Sequence, residues 1–432
     1  MKPLLSTVLQ RLKDLVQVPL YSGAFFLMLA NLVNAFFGFV FWIVAARVYS
    51  AESVGMASAV ISAGNLLIMV SGLGVSYGLL RFLPSSRSVT KLINSSFCLT
   101  GLISVATALI FILGLGLWSP ALIFIRDSQF YMLAFLLLVL TTTLAGLIDQ
   151  SLVAGRKSGF VLVRILLFNS LKIILLVLLG VSFHSLGIVA AWSISVTITV
   201  TIGIFWFLPV TYSGYRLFRS IKLKNTYEIL PFSLKNYISD LFQLLPGFLL
   251  PILVINLLNA QSSAYFFMAW AISNILIVIP TAISISLIAE GSHNESSIQQ
   301  NVRRSLMMVT VFLTPAVVLV FIFADKVLLL FGNSYAINAT SLLRWLVIAT
   351  VPAAINNIFF AVKRIQKDLM PVILLAFMGS AITIAFSYLL LQVSGLFGVG
   401  IAWLLGQGFI SFWIFIKMFK IRLLRKSGKY ST

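Results

Sequence analysis

Acidic side chains are scarce in this chain: ten Asp and Glu stand against thirty Lys and Arg in 432 residues. Charged residues of both signs make up only 9%, where an ordinary soluble protein carries about 25%. That shortage excludes a water-soluble globular domain. There is one cysteine, Cys98, so neither an internal disulfide nor a cysteine-ligated metal site can form. The two histidines, His184 and His293, are far apart in sequence and offer no histidine metal site. No glycine loop followed by Lys-Ser/Thr is present, so ATP-driven transport lacks support. No catalytic set emerges either, because the outer-side acids Glu52, Asp127 and Asp325 are scattered over short loops. A non-enzyme is expected.

What the chain has instead is apolar residues, 60% of the total, at a mean hydropathy of +1.09. Twelve stretches reach the roughly 20 apolar residues needed to cross the hydrocarbon, the first over 21–46 and the last over 397–418. They are continuously apolar rather than alternating, which makes them helices and not barrel strands. The expected fold is therefore an all-α polytopic membrane protein of about twelve transmembrane helices.

The net charge of +20 is explained by topology rather than by nucleic acid. With the N-terminus inside, 24 of the 30 basic residues fall in alternate loops and the two tails, among them Arg156, Lys157, Lys363 and Arg364. The positive-inside rule then puts both termini in the cytoplasm, and anionic lipid adds attraction there. Lys2–Gln17 carries Leu4, Leu5, Val8, Leu9, Leu12, Leu15 and Val16 on one face, the spacing of a helix lying on the cytoplasmic surface rather than a cleavable signal.

The chain also repeats itself. Ala51, Ser53, Asn65, Leu67 and Ile68 return 209 residues on as Ala260, Ser262, Asn274, Leu276 and Ile277. Gly187-Ile188-Val189-Ala190-Ala191-Trp192 returns 211 residues on as Gly398-Val399-Gly400-Ile401-Ala402-Trp403, and Arg156-Lys157 returns 207 on as Lys363-Arg364. Two six-helix lobes follow, related by a pseudo-two-fold axis along the membrane normal. The expected division is an amphipathic segment 1–20, an N-lobe 21–208, a basic linker 209–232, a C-lobe 233–418 and a basic tail 419–432. The linker reads equally as a solvated loop or a surface helix.

Charges inside spans mark sites, because each is costly there. Counting outward from Arg156, Asp149 and Arg164 fall at similar depth in an antiparallel hairpin and can pair as a structural unit. Lys172 lies near the bilayer middle on the same face as Arg164, with Thr141, Thr142 and Thr143 opposite on the fourth span. It either lines a cavity that meets an anionic ligand or is buried as a structural donor. Asp240 is a coupling-ion candidate or a partner for Lys235 or Arg164. Asn65 and Asn274 occupy equivalent places on two cavity walls or pack helices within each lobe, and Asn31 and Asn34 share a face of the first span. Five prolines, Pro246, Pro251, Pro280, Pro315 and Pro352, fall in second-half spans, and the seventh span, with Pro246-Gly247 and Pro251, is expected to be broken.

Ala45-Ala46-Arg47-Val48-Tyr49-Ser50-Ala51-Glu52-Ser53-Val54-Gly55, then Ser71-Gly72-Leu73-Gly74 and Leu79-Leu80-Arg81, resembles the opening of polysaccharide transporters. These are the O-antigen and teichoic-acid type flippases of the multidrug/oligosaccharidyl-lipid/polysaccharide exporter superfamily, and the layout resembles them over the whole chain. The resemblance implies a V-shaped pair of lobes, alternating access, and a cargo of oligosaccharide on an isoprenoid pyrophosphate moved to the outer leaflet of a prokaryotic plasma membrane. It also implies no cofactor beyond a possible coupling H+ or Na+, and polysaccharide polymerase or ligase machinery as neighbours. Lys172 and Arg164, with Arg47 and Arg81 near the two mouths, would compensate the phosphates. The rival expectations are an ion-coupled drug or small-solute exporter of the same superfamily, a membrane-embedded polymerase or transferase, and a non-catalytic scaffold.

Overall fold

The computed structural model of the chain describes residues 19–86, 88–180, 183–217, 221, 224–293 and 298–426. The amphipathic segment Lys2–Gln17 lies outside the described residues, as does the end of the basic tail. Among the described residues twelve helices are long and apolar enough to cross a membrane, and the chain is a multi-pass membrane protein. They are α1 (Pro19–Val48), α2 (Ala51–Gly72), α3 (Val89–Leu113), α4 (Gln129–Ala154), α5 (Ser158–Gly180) and α6 (His184–Ile202), then α7 (Lys224–Leu257), α8 (Ala260–His293), α9 (Ile298–Ile322), α10 (Asn333–Ile365), α11 (Met370–Ser394) and α12 (Leu396–Lys426). No strand occurs among the described residues.

The helices form two compact units that divide at Tyr237/Ile238, inside α7. In the first, α5 packs on α1 and α6, and α6 also packs on α4. In the second, α10 packs on α8 and α12, and α11 on α12.

Local details show one plan used twice. Ser50 caps α2 by accepting from the Ser53 amide at 3.2 Å, and 209 residues on Asn259 accepts from the Ser262 amide at 2.8 Å. The α4–α5 turn closes with Arg156 N donating to Val153 O and Lys157 N to Leu152 O. The α10–α11 turn closes with Lys367 N to Arg364 O and Asp368 N to Lys363 O, the same pattern 211 residues on. Arg156 and Lys367 both sit in the left-handed region, at φ 58° and 56°. The repeat at this turn therefore aligns Arg156 with Lys367, which corrects the 207-residue match of Arg156-Lys157 to Lys363-Arg364. Backbone geometry sets the register, and basic residues are common enough at an inner loop to match off register.

Three helix boundaries need separate explanation. α2 stops at two consecutive left-handed residues, Leu73 (φ 46°) and Gly74 (φ 67°), and a short helix Val75–Phe82 follows. A Cβ on Gly74 would lie 2.6 Å from the Ser233 carbonyl oxygen, so only glycine fits. The Tyr237 phenol donates to the Met69 carbonyl, one of those the helix end leaves open. At the other end of the unit α6 runs on through a π turn, Gly203–Phe207, to Thr211. Tyr212 then donates to the Ser151 carbonyl at 2.6 Å, and burial pushes its phenol up to about 12, so it stays a neutral donor. Finally, α7 is continuous from Lys224 to Leu257. The second part of the expected linker is thus helix, and the expected break at Pro246 and Pro251 does not occur. The reason is local: the Phe242 carbonyl that Pro246 cannot bond accepts a hydrogen bond from Ser380 Oγ on α11.

Candidate functional site

α5 presents Arg164, Phe168 and Lys172 at i, i+4 and i+8, one column on one helix face. Because α5 packs on α1 and α6, that column meets their side chains. Lys172 is only 1% exposed. Its Nζ lies 4.7 Å from the ring centre of Phe41 on α1, 4.6 Å from Phe168, and 4.3 Å from Trp192 on α6. The rings brace one another: Phe41 and Trp192 meet edge-on at 5.5 Å, Phe168 and Trp192 at 5.8 Å. Among the described residues no ion pair or hydrogen bond involves Nζ. The ammonium thus rests on aromatic faces, which stabilise a cation without neutralising it.

None of the threonines expected opposite Lys172 is hydrogen-bonded to it, and the buried Thr142 hydroxyl has no hydrogen-bond partner among the described residues. Thr141 and Thr143 donate to carbonyls of their own helix, Leu137 O at 2.6 Å and Val139 O at 2.7 Å. α4 and α5 are joined by a short turn, but α5 leans on α1 and α6, and so those helices supply the surroundings of Lys172.

Two turns toward the α4–α5 turn, Arg164 and Asp149 form a bidentate pair: Nε donates to Oδ1 at 2.6 Å and Nη2 to Oδ2. Arg164 is buried and its charge is compensated. Between the two cations Asn169 donates to Asn34 Oδ1 on α1 at 3.2 Å.

Of the other expected site residues, Arg47, Arg81 and Asn65 belong to the first unit and Asn274 and Asp240 to the second. Arg47, in the last turn of α1, and Arg81 are exposed, the Arg81 guanidinium lying 5.5 Å from the Phe82 ring centre. Asn65 is half-buried on α2, and Asn274 is exposed on α8, its amide donating to the Trp270 carbonyl at 2.9 Å. Asp240 pairs with Arg364 at 2.9 Å in the second unit. Of the partners expected for Asp240, Arg164 is committed to Asp149 and the Lys235 side chain lies outside the described residues. Among the described residues no three His, Cys, Asp or Glu side chains gather into a metal site.

Sequence reading missed the aromatic cage. The i, i+4 step from Phe168 to Lys172 and the recurrence of Trp192 as Trp403 were the available signals. It also missed a buried amide network in the second unit, where Asn356 donates to Gln407 Oε1 at 2.9 Å and Ser411 donates to Asn356 Oδ1 at 2.8 Å.

Among the described residues the chain is thus a helical bundle of twelve candidate spans in two units, with Arg164 and Lys172 buried in the first. A family model described as MatE matches residues 237–389. No curated protein matches the chain. Among solved structures, an inward-facing multidrug resistance MATE family transporter of the MOP superfamily is similar at 17% identity and TM-score 0.70, covering 92% of this chain and 95% of that one. The lipid II flippase MurJ in an inward closed conformation is similar at 11% identity and TM-score 0.75, covering 91% and 87%. A MOP superfamily transporter from Pyrococcus furiosus, described by the reverse polarity of its binding pocket, is similar at 17% identity and TM-score 0.60, covering 95% and 96%. The chain has the fold that these transporters share.

Proposed function

We propose that this protein is a flippase that moves an isoprenoid-phosphate-linked oligosaccharide from the inner to the outer leaflet of a prokaryotic plasma membrane. The observation that carries the reading is Lys172, a mid-span cation with aromatic faces around it and, among the described residues, no carboxylate paired with it. A buried charge without a counter-charge is expensive, by several kcal/mol even after relaxation. Three cation–π contacts, about 0.5–2 kcal/mol each, offset only part of that. An anionic headgroup offsets the rest, so the site favours a phosphate and disfavours a cationic drug.

On this reading the headgroup enters from the cytoplasmic side, its phosphate reaches Lys172, the isoprenoid stays in lipid and the two lobes alternate access. Both termini are cytoplasmic, 209–232 links the lobes, and the coupling ion, H+ or Na+, is bound elsewhere, with Asp240 a candidate. The likeness to a structure described as a lipid II flippase supports the cargo class. A second reading, an ion-coupled drug or solute exporter, is favoured by the MatE match over 237–389 and by the multidrug structures.

The test is transport in proteoliposomes loaded with a lipid-linked oligosaccharide, read as sugar exposed on the far leaflet. Lys172→Ala is expected to abolish flipping at normal membrane abundance, and Lys172→Arg to keep part of it. Full activity in the alanine variant removes Lys172 from the mechanism, and export of a cationic dye by wild type, unaffected by Lys172→Ala, favours the exporter.

A further inference from the structure

The two units of the chain differ where their spans 5 and 11 correspond. Shifted by 211 residues, Asp149 and Arg164 become Phe360 and Leu375, and Lys172 becomes Thr383. Phe360 and Leu375 lie in one buried apolar cluster of the second unit. The corresponding place in the second hairpin is therefore buried and apolar, and a hairpin of this kind forms without an ion pair there. Replacing a buried pair by apolar side chains of similar volume is often neutral or stabilising. A charged pair retained in the first unit calls for a reason other than packing.

Charge supplies one. Arg164 and Lys172 share a face of α5, with Cα positions about 12 Å apart by helical rise. The Lys172 side chain reaches back over Phe168, which shortens the gap. The column carries two positive charges and one negative, a net of one. A headgroup bearing a single phosphodiester charge is matched by Lys172 alone. A diphosphate diester bears two and needs the second cation, which Asp149 occupies. The Arg164 fork fits a carboxylate and a phosphate by the same paired hydrogen bonds.

We propose that Asp149 is a specificity-determining residue, its carboxylate holding on Arg164 the place of the second phosphate of the cargo and yielding it to a diphosphate but not to a monophosphate. The proposal rests on the flippase reading and adds to it how the site tells the two headgroups apart. Arg164 is then a ligand only for the longer one, and Lys172 is a ligand for both.

The experiment is binding of two farnesyl-linked glucose diesters, one joined through a diphosphate and one through a single phosphate, to the purified full-length protein in detergent. Asp149→Asn is expected to tighten the diphosphate about tenfold, the scale of one hydrogen bond to a charged group, and to leave the monophosphate within about twofold. The paired exchange Asp149→Phe with Arg164→Leu copies the second unit, so it is expected to stay monodisperse, to keep monophosphate binding and to lose the preference for diphosphate. Lys172→Gln is expected to weaken both ligands, which tests the flippase reading separately. Equal weakening of both ligands by Asp149→Asn, or an unchanged preference in the paired variant, overturns the proposal. A paired variant that fails to fold also overturns it, because the charges would then be structural. If wild type binds neither lipid, the flippase reading itself falls.

Discussion

Lys172 and Arg164 sit two turns apart on one helix and differ in what surrounds them. Arg164 was legible: counting outward from the turn at Arg156 puts it level with Asp149, because an antiparallel hairpin fixes depth by residue number, and the two meet. The surroundings of Lys172 were not legible. They depend on which helices α5 leans on, a non-local choice, and an apolar span carries little periodicity from which to read it. The cage makes its own prediction. Trp192→Leu removes a cation–π face and three ring contacts, with Phe41, Trp42 and Phe168, and is expected to cost about 2–4 kcal/mol. Trp192→Phe keeps a ring and is expected to lose less than half of that in thermal unfolding of the purified protein. Equal losses from the two variants would show that Trp192 acts through its volume alone.

At the scale of the element, the seventh span shows how a proline can be accommodated without a break. Pro246 leaves the Phe242 carbonyl without its helical donor, and Ser380 supplies one from α11. Sequence locates the proline but not the hydroxyl, since the two are 134 residues apart. If the account holds, Ser380→Ala costs about 1 kcal/mol in wild type and clearly less in a Pro246→Ala background, where the helix amide returns. A double-mutant cycle measures this, and additive losses would contradict it. The elbow at Leu73–Gly74 behaves differently. Gly74→Ala meets the Ser233 carbonyl and a left-handed φ together, and is expected to destabilise by about 2–4 kcal/mol. Gly72→Ala, with open space at its Cβ, is expected to be near neutral. Similar melting temperatures for the two would count against the elbow geometry.

Over the whole molecule, twelve spans and two repeated halves were readable from apolar length and from echoes at 209 and 211 residues. These signals survive because membrane helices must satisfy their own backbone and so keep their lengths. The site was readable only in part. A repeat reveals itself by what is alike in its halves, whereas the proposed site lies in what differs: Lys172 against Thr383, and Asp149 with Arg164 against Phe360 with Leu375.

The most direct measurement is thiol protection at position 172. In a Cys98→Ser background, Lys172→Cys is exposed to a small water-soluble thiol reagent, with and without a lipid-linked oligosaccharide. The account expects labelling during the transport cycle, when the cage opens to water, and suppression of that labelling by the lipid-linked sugar. Labelling that the ligand leaves unchanged, or no labelling in any state, would contradict a phosphate site at Lys172.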